Sequence, residues 1–236
     1  MNNNLNEDDC QTMGLFYRDW LTCGEFARSR FISPGLRYNS TMVKAVIFDA
    51  DGVLINAERF SLQLEREHGI STEKTSSFFQ GIFQDCLIGQ ADLKEVIAKH
   101  LSEWGWDKSV DEFLNYWFKS EHKVDEELVE YIKNLKEKGL KVFVATNNER
   151  HRTEYIINEM GFGQIFDKVY GSGHIGCKKP DHQFFQHIVD DQNLNNDEIL
   201  FWDDTEENIK AAKKFGIKAE LYINLSDFKE KMVSYL

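Results

Sequence analysis

The sequence predicts an α/β fold: a doubly wound, parallel, Rossmann-like sheet with a small α-helical domain inserted after its first strand. Three observations carry this. From about residue 126 onward, short β-branched and aromatic runs alternate with amphipathic helical segments, and strands separated by helices pair in parallel through crossovers. Between about residues 56 and 121 the apolar spacing is helical throughout. Lastly, Val46-Ile47-Phe48 runs straight into Asp49-Ala50-Asp51-Gly52, a buried-strand pattern ending in two carboxylates one residue apart. In open α/β sheets that carboxyl edge is where ligands bind.

Taken in order, Lys44 to Asp49 reads as the first strand, with Gly52 letting the backbone turn away. Glu58 to His68 is helical, with Gly69 as its stop. Phe78, Phe79, Ile82 and Phe83 form one apolar stripe, and Leu93, Val96, Ile97 and Leu101 another. Ser109 with Glu112 fits a capping box ahead of Phe113, Tyr116 and Trp117. Beyond this block come a helix over Glu126–Lys138 closed by Gly139, a strand over Lys141–Ala145, and a helix over Glu149–Met160 closed by Gly161. A short strand over Lys168–Tyr170, a helix over Asp181–Asp191 and a strand over Ile199–Trp202 follow. Thr205–Phe215 is helical up to Gly216, Ala219–Ile223 is a strand, and a last helix begins after Ser226. The expected organisation is a core from residues 42–55 and 122–236, with a helical cap over 56–121.

Residues 1–41 differ in character. Asn2-Asn3-Asn4 and Glu7-Asp8-Asp9 are polar, and the acids argue against a transit peptide. A poorly ordered extension is expected, with Met42 as the true start or the patch around Phe16, Tyr17, Trp20 and Leu21 docking on the core or a partner. The net charge of −12 argues against nucleic acid and anionic membranes as partners. Cys10, Cys23, Cys86 and Cys177 lie far apart without a C-x-x-C, as expected of reduced thiols in a cytoplasmic protein. No apolar run reaches membrane-spanning length.

Three further polar features fall at strand ends or at helix starts beyond them: Thr146-Asn147-Asn148, then Lys178-Lys179-Pro180-Asp181, then Asp203-Asp204 with Asn208 one turn on. A parallel sheet gathers such ends at one edge. Carboxylates from two strands suit Mg²⁺, which prefers a few carboxylates plus water and phosphate oxygen. A carboxylate can attack phosphorus, and a lysine and hydrogen-bond donors suit a phosphoryl group in flight. Asp-Gly alone is also a common turn, so the weight rests on the whole set.

In their order, and with the helical insertion after the first, these four features resemble the haloacid dehalogenase-like superfamily, in its subfamily with a small helical cap. The resemblance covers residues 42–236. The Asp-Asp-Thr-Glu-Glu-Asn-Ile form resembles sugar-phosphate phosphatases and the phosphatase-like domains attached to epoxide hydrolases. The resemblance implies Asp49 as nucleophile and metal ligand, and Asp51 as general acid-base lending its backbone carbonyl to Mg²⁺. It implies Thr146 and the Asn147 amide as holders of the phosphoryl oxygens, and Lys179, with Lys178 as rival, as the balancing charge. Asp204 would be the direct side-chain metal ligand, with Asp203 acting through water or just behind it.

Because the dehalogenase members lack the second aspartate, Asp51 favours phosphate chemistry. The implied activity is Mg²⁺-dependent hydrolysis of a small-molecule phosphomonoester, a sugar phosphate or similar, through an aspartyl-phosphate. A phosphomutase or a non-catalytic binding protein on the same fold are the alternatives. An unperturbed Asp titrates at about 3.9, so Asp49 would need no activation at neutral pH. Arg59, Phe78, Phe79, Trp104, Trp106 and Trp117 are candidates to line a leaving-group pocket. Oligomeric state is not legible.

Overall fold

In the computed structural model, residues 42–236 are described. The expectations for residues 1–41, including Cys10 and Cys23, lie outside the described residues. The first strand, β1 (Ala45–Phe48), is buried along its whole length. Its alternate residues feed two different cores, as a strand covered on both faces requires. Val46 and Phe48 join one apolar cluster, and Ala45 and Ile47 join the other.

The chain then builds five helices: α1 (Phe60–His68), α2 (Thr72–Gln80), α3 (Phe83–Leu87), α4 (Leu93–Trp104) and α5 (Val110–Ser120). Four of them take a recognisable end signal. Gly69 closes α1 in the left-handed region at φ 69°. Asp92 caps α4, and the Ser109–Glu112 capping box opens α5. The five share their own apolar cluster, in which Phe60, Phe78, Ile97, Trp104, Phe113 and Trp117 are buried.

The one misread stripe is Phe78-Phe79-Ile82-Phe83. Gly81 ends α2, so these residues span two helices and Ile82 is exposed. The two strands of chain joining this helical block to the sheet run side by side. Asn56 N–H donates to Lys123 O at 2.8 Å, and Asp125 N–H to Leu54 O at 2.9 Å.

The remainder alternates: α6 (Glu126–Glu137), β2 (Lys141–Thr146), α7 (Arg150–Asn158), α8 (Phe162–Ile165), β3 (Lys168–Gly171), α9 (Ser172–Ile175) and α10 (His182–Gln192), then β4 (Ile199–Asp203), α11 (Glu206–Phe215), β5 (Lys218–Leu221) and α12 (Leu225–Met232). The sheet order is β3-β2-β1-β4-β5, with every pairing parallel. Apolar residues of α6, α7 and α12 cover one face, and those of α10 and α11 the other.

Two local expectations are corrected. The last helix starts at Leu225, before Ser226, because the Asn224 side chain caps it by accepting from Asp227 N–H. The strand expected to end at Tyr170 runs on to Gly171 and opens into the single turn of α9. Such one-turn helices carry too few residues for a periodic signal. Cys86 and Cys177 are free thiols. Among the described residues, no helix is long and apolar enough to cross a membrane.

Phe228 on α12 is fully buried and meets the rings of Phe48, Trp202, Tyr131 and Tyr222. It therefore locks the last helix onto the two central strands. Phe228→Ala is expected to cost about 3–5 kcal/mol, read as a lowered urea midpoint at an unchanged slope.

Candidate functional site at the carboxyl edge of the sheet

The register sets the site. Phe48 lies level with Val144 on one side and Trp202 on the other, so β1 gives out at Asp49 beside the last residue of β4, Asp203. Asp49 N–H still donates to Trp202 O at 2.8 Å, which fixes the first carboxylate before the chain turns. Gly52 then takes φ 85°, and a Cβ there would collide with the Asp204 carboxylate. The absent side chain lets the loop after β1 lie against Asp204.

Lys179 is the centre of the cluster. Its buried Nζ lies 2.8 Å from Asp49 Oδ1 and 2.7 Å from Asp203 Oδ2. Burial alone would push the Lys179 ammonium toward neutrality. The charges of Asp49 and Asp203 outweigh that and hold its pKa above the ordinary value. The Lys179 backbone is clamped by Asn147, whose Nδ2 donates to Lys179 O while its Oδ1 accepts from Lys179 N–H, both at 2.8 Å. Lys178 points elsewhere, donating to Gln84 Oε1 of the helical block at 2.7 Å. Of the two rival lysines, only Lys179 enters the carboxylate cluster.

Asp203 is fully buried and accepts from Asn208 Nδ2 at 3.0 Å and Thr205 N–H at 2.8 Å. Asp204 is exposed beside it. One oxygen from each of Asp49, Asp203 and Asp204 lies within 4.8 Å of the others. Burial raises the Asp49 carboxyl well above its ordinary value, against the pull of Lys179, and the like charge of Asp203 adds to the rise. Burial and Asp203 raise Asp204 as well. Three clustered carboxylates opposed by one lysine, all hard oxygen donors, fit a small divalent cation such as Mg²⁺. Asp203 lies in this cluster with both oxygens already accepting hydrogen bonds from Lys179, Asn208 and Thr205.

Asp51 stands apart from that cluster. Its half-exposed carboxylate accepts from Asn148 Nδ2 at 2.7 Å, and the same Asn148 amide also donates to Thr146 Oγ1 at 2.7 Å. Thr146 ends β2 and is buried.

Two charged residues not singled out in the sequence complete the surroundings. Arg152 on α7 is buried, with a terminal nitrogen 3.9 Å from Asp51 Oδ1 and 3.5 Å from Glu121 Oε2. Its Nη1 also donates to Phe118 O at 3.0 Å. Glu121 follows α5, and burial lifts its carboxyl to about 7 although Arg152 opposes the rise. Neither residue has a sequence signal, since both look like ordinary helix-surface charges. Of the aromatic candidates, Phe79 and Trp117, with Arg59, line a cavity of about 980 Å³. Phe78, Trp104 and Trp106 are buried in the helical core instead.

The chain is similar over residues 46–221 to the haloacid dehalogenase-like hydrolase family. D-ribitol-5-phosphate phosphatase of Bacteroides thetaiotaomicron is 25% identical over 206 residues, covering 83% of this chain and 99% of that protein. A drimenol cyclase of Aspergillus calidoustus is 26% identical over 103 residues, 42% of this chain but only 20% of that protein. Among solved structures, a HAD family enzyme of Bacteroides thetaiotaomicron in complex with magnesium and inorganic phosphate superimposes with a TM-score of 0.68 at 22% identity. The match covers 79% of this chain and 98% of that one. The structural likeness shows the shared fold.

Two measurements check this description. Saturating Mg²⁺ is expected to raise the thermal midpoint, the gain being about 2.7 kcal/mol at a hundredfold excess over Kd, and Asp204→Asn should lose the shift. The second concerns Glu121. The folded chain keeps this proton where the unfolded chain has already released it, so stability falls as pH climbs from about 4.3 to about 7. Glu121→Gln should remove on the order of 2 kcal/mol of that decline, read as the difference between wild-type and variant urea midpoints at the two ends of the window.

Proposed function

The chain belongs to the haloacid dehalogenase-like hydrolase family, and we propose that it is a Mg²⁺-dependent phosphomonoester hydrolase working through an aspartyl-phosphate. The observation that carries the reading is Lys179, buried between Asp49 and Asp203 with Asp204 beside them. That arrangement gathers a nucleophile, a counter-charge and a cation site at one point.

Asp49, Asp203 and Asp204 would hold the ion, with the Asp51 backbone carbonyl as a further oxygen. When bound, Mg²⁺ neutralises charge on the phosphoryl oxygens. Asp49 attacks phosphorus in line, forming a carboxyl oxygen–phosphorus bond as the bond to the leaving oxygen breaks. The departing alkoxide takes its proton from Asp51. Water then attacks the acyl phosphate, yields a proton to Asp51, and leaves inorganic phosphate and a free Asp49 carboxylate. Thr146 Oγ1 and the Asn147 main-chain N–H serve as phosphoryl donors, because the Asn147 side chain is already committed to Lys179. Lys179 balances the charge of Asp49 and the incoming phosphate. Asn148 bridges Asp51 and Thr146, so it sets the acid relative to the phosphoryl pocket.

Residues 42–55 and 122–236 act as the catalytic core, and 56–121 as the cap that selects the leaving group. The substrate is a small phosphorylated metabolite. Sugar and polyol phosphates are one class to test, in line with the phosphatase among the relatives.

Phosphate release from a panel of monoesters is the direct test. Asp49→Asn should lower kcat by at least about a thousandfold. Asp51→Asn should cost about a hundredfold or more on alkyl esters but less than about tenfold on p-nitrophenyl phosphate, whose leaving group needs no proton. Equal loss on both would remove Asp51 as the acid. An isomeric sugar phosphate in place of free phosphate would identify a mutase.

A further inference from the structure

The helical block forms an open cavity of about 980 Å³, at the upper end of the roughly 300–1,000 Å³ of ligand pockets. Its wall is aromatic. Phe60 stacks on Trp117 with ring centroids 4.8 Å apart, and Phe79 and Phe83 pack on the same indole at 5.5 and 5.6 Å.

Polar residues also line it, and four of them are already hydrogen-bonded. Thr75 Oγ1 donates to Thr72 O, and Ser76 Oγ to Glu73 O. Gln84 Nε2 donates to Phe79 O while its Oε1 accepts from Lys178. Glu121 accepts from the Trp117 indole N–H at 3.0 Å and faces Arg152. Arg59, Glu73 and Gln80, which are exposed, and Ser61 and Thr72, which are half-buried, make no such contact.

Two of the occupied groups also connect the cavity wall to the carboxylate edge. Gln84 is tied to the residue preceding Lys179, and Glu121 meets the arginine that approaches Asp51. Glu121, in the cavity wall, is thus linked to Asp51 through Arg152.

We propose that this cavity receives the body of the leaving alcohol, and that the preferred substrate is the phosphomonoester of an apolar, hydrocarbon alcohol rather than of a polyol. The proposal rests on the phosphatase reading above. A polyol would bring hydroxyl groups against the Phe60, Phe79, Phe83 and Trp117 rings and the already-bonded Gln84 amide, where each would lose water without gaining a partner. A hydrocarbon chain loses nothing polar and gains from every methylene buried.

The test is a homologous series of alkyl phosphates, from ethyl to octyl and below their aggregation limits, beside ribitol 5-phosphate, with Mg²⁺ saturating. The expected kcat/KM rises by about two- to fourfold per methylene until the cavity is filled, since each buried CH₂ contributes up to about fourfold. Octyl phosphate should exceed ribitol 5-phosphate by about a hundredfold. Phe79→Ser should flatten the series, and Phe79→Leu should restore its steepness. A flat wild-type series, or ribitol 5-phosphate as the better substrate, overturns the proposal.

If no ester in the panel is hydrolysed, the phosphatase reading falls. The cavity is then judged by calorimetry with octanol and ribitol. Octanol binding that weakens in Phe79→Ser supports an apolar site. Ribitol binding, or no binding of either, overturns it.

Discussion

One buried ammonium holds the working edge together. Lys179 cannot sit charged in the interior without partners, and neither can Asp49 or Asp203 beside it. Each is tolerable only because the others are within hydrogen-bond reach. The contacts tie together the ends of three strands. Asp49 leaves β1, Asp203 ends β4, and Asn147, just beyond β2, grips the lysine's own backbone. The same contacts that set the chemistry therefore also fix the sheet edge, and loss of the lysine would leave two unopposed buried carboxylates. The cluster keeps an excess of negative charge, which makes a divalent cation a natural partner rather than an ornament.

Around this fixed edge the molecule divides its tasks. The sheet presents rigid groups whose positions follow from strand register, as suits a reaction that depends on placement. The helical block presents side chains from several short helices and is joined through two adjacent linkers. Arg152 sits at the junction and reaches both ways, to the Phe118 carbonyl and Glu121 on the helical side and toward Asp51 on the other. Arg150 does likewise, donating to Gly89 O and Gly173 O, and His151 meets Asp92. Three consecutive residues at the start of α7 thus register the helical block against the edge of the sheet. A cap held this way can vary its inner wall without disturbing the carboxylates.

Much of this was legible in the chain because the relevant signals are local. Val46-Ile47-Phe48 must be buried, Gly52 must turn, and the Asp49, Thr146 and Asp203 runs each follow a strand-like stretch. Parallel pairing then brings them to one edge. The capping box at Ser109 is equally local, and the last helix starts two residues before the expected position. A sequence does not state how deeply a strand end is buried, and at Asp49 that burial pushes the carboxyl upward.

The chain by itself determined the order of elements, the parallel sheet and the set of acids at its edge, because period-two and period-3.6 patterning and short turns act over a few residues. Only the tertiary structure decided which of Lys178 and Lys179 turns inward, and that Arg152 and Glu121 are buried rather than solvated. It alone separated Phe79 and Trp117, which line a cavity, from Phe78, Trp104 and Trp106, which fill a core. Adjacent lysines, surface-like charges and interchangeable aromatics carry the same local signal. Their fates diverge only when distant helices pack and choose which side chains lose water.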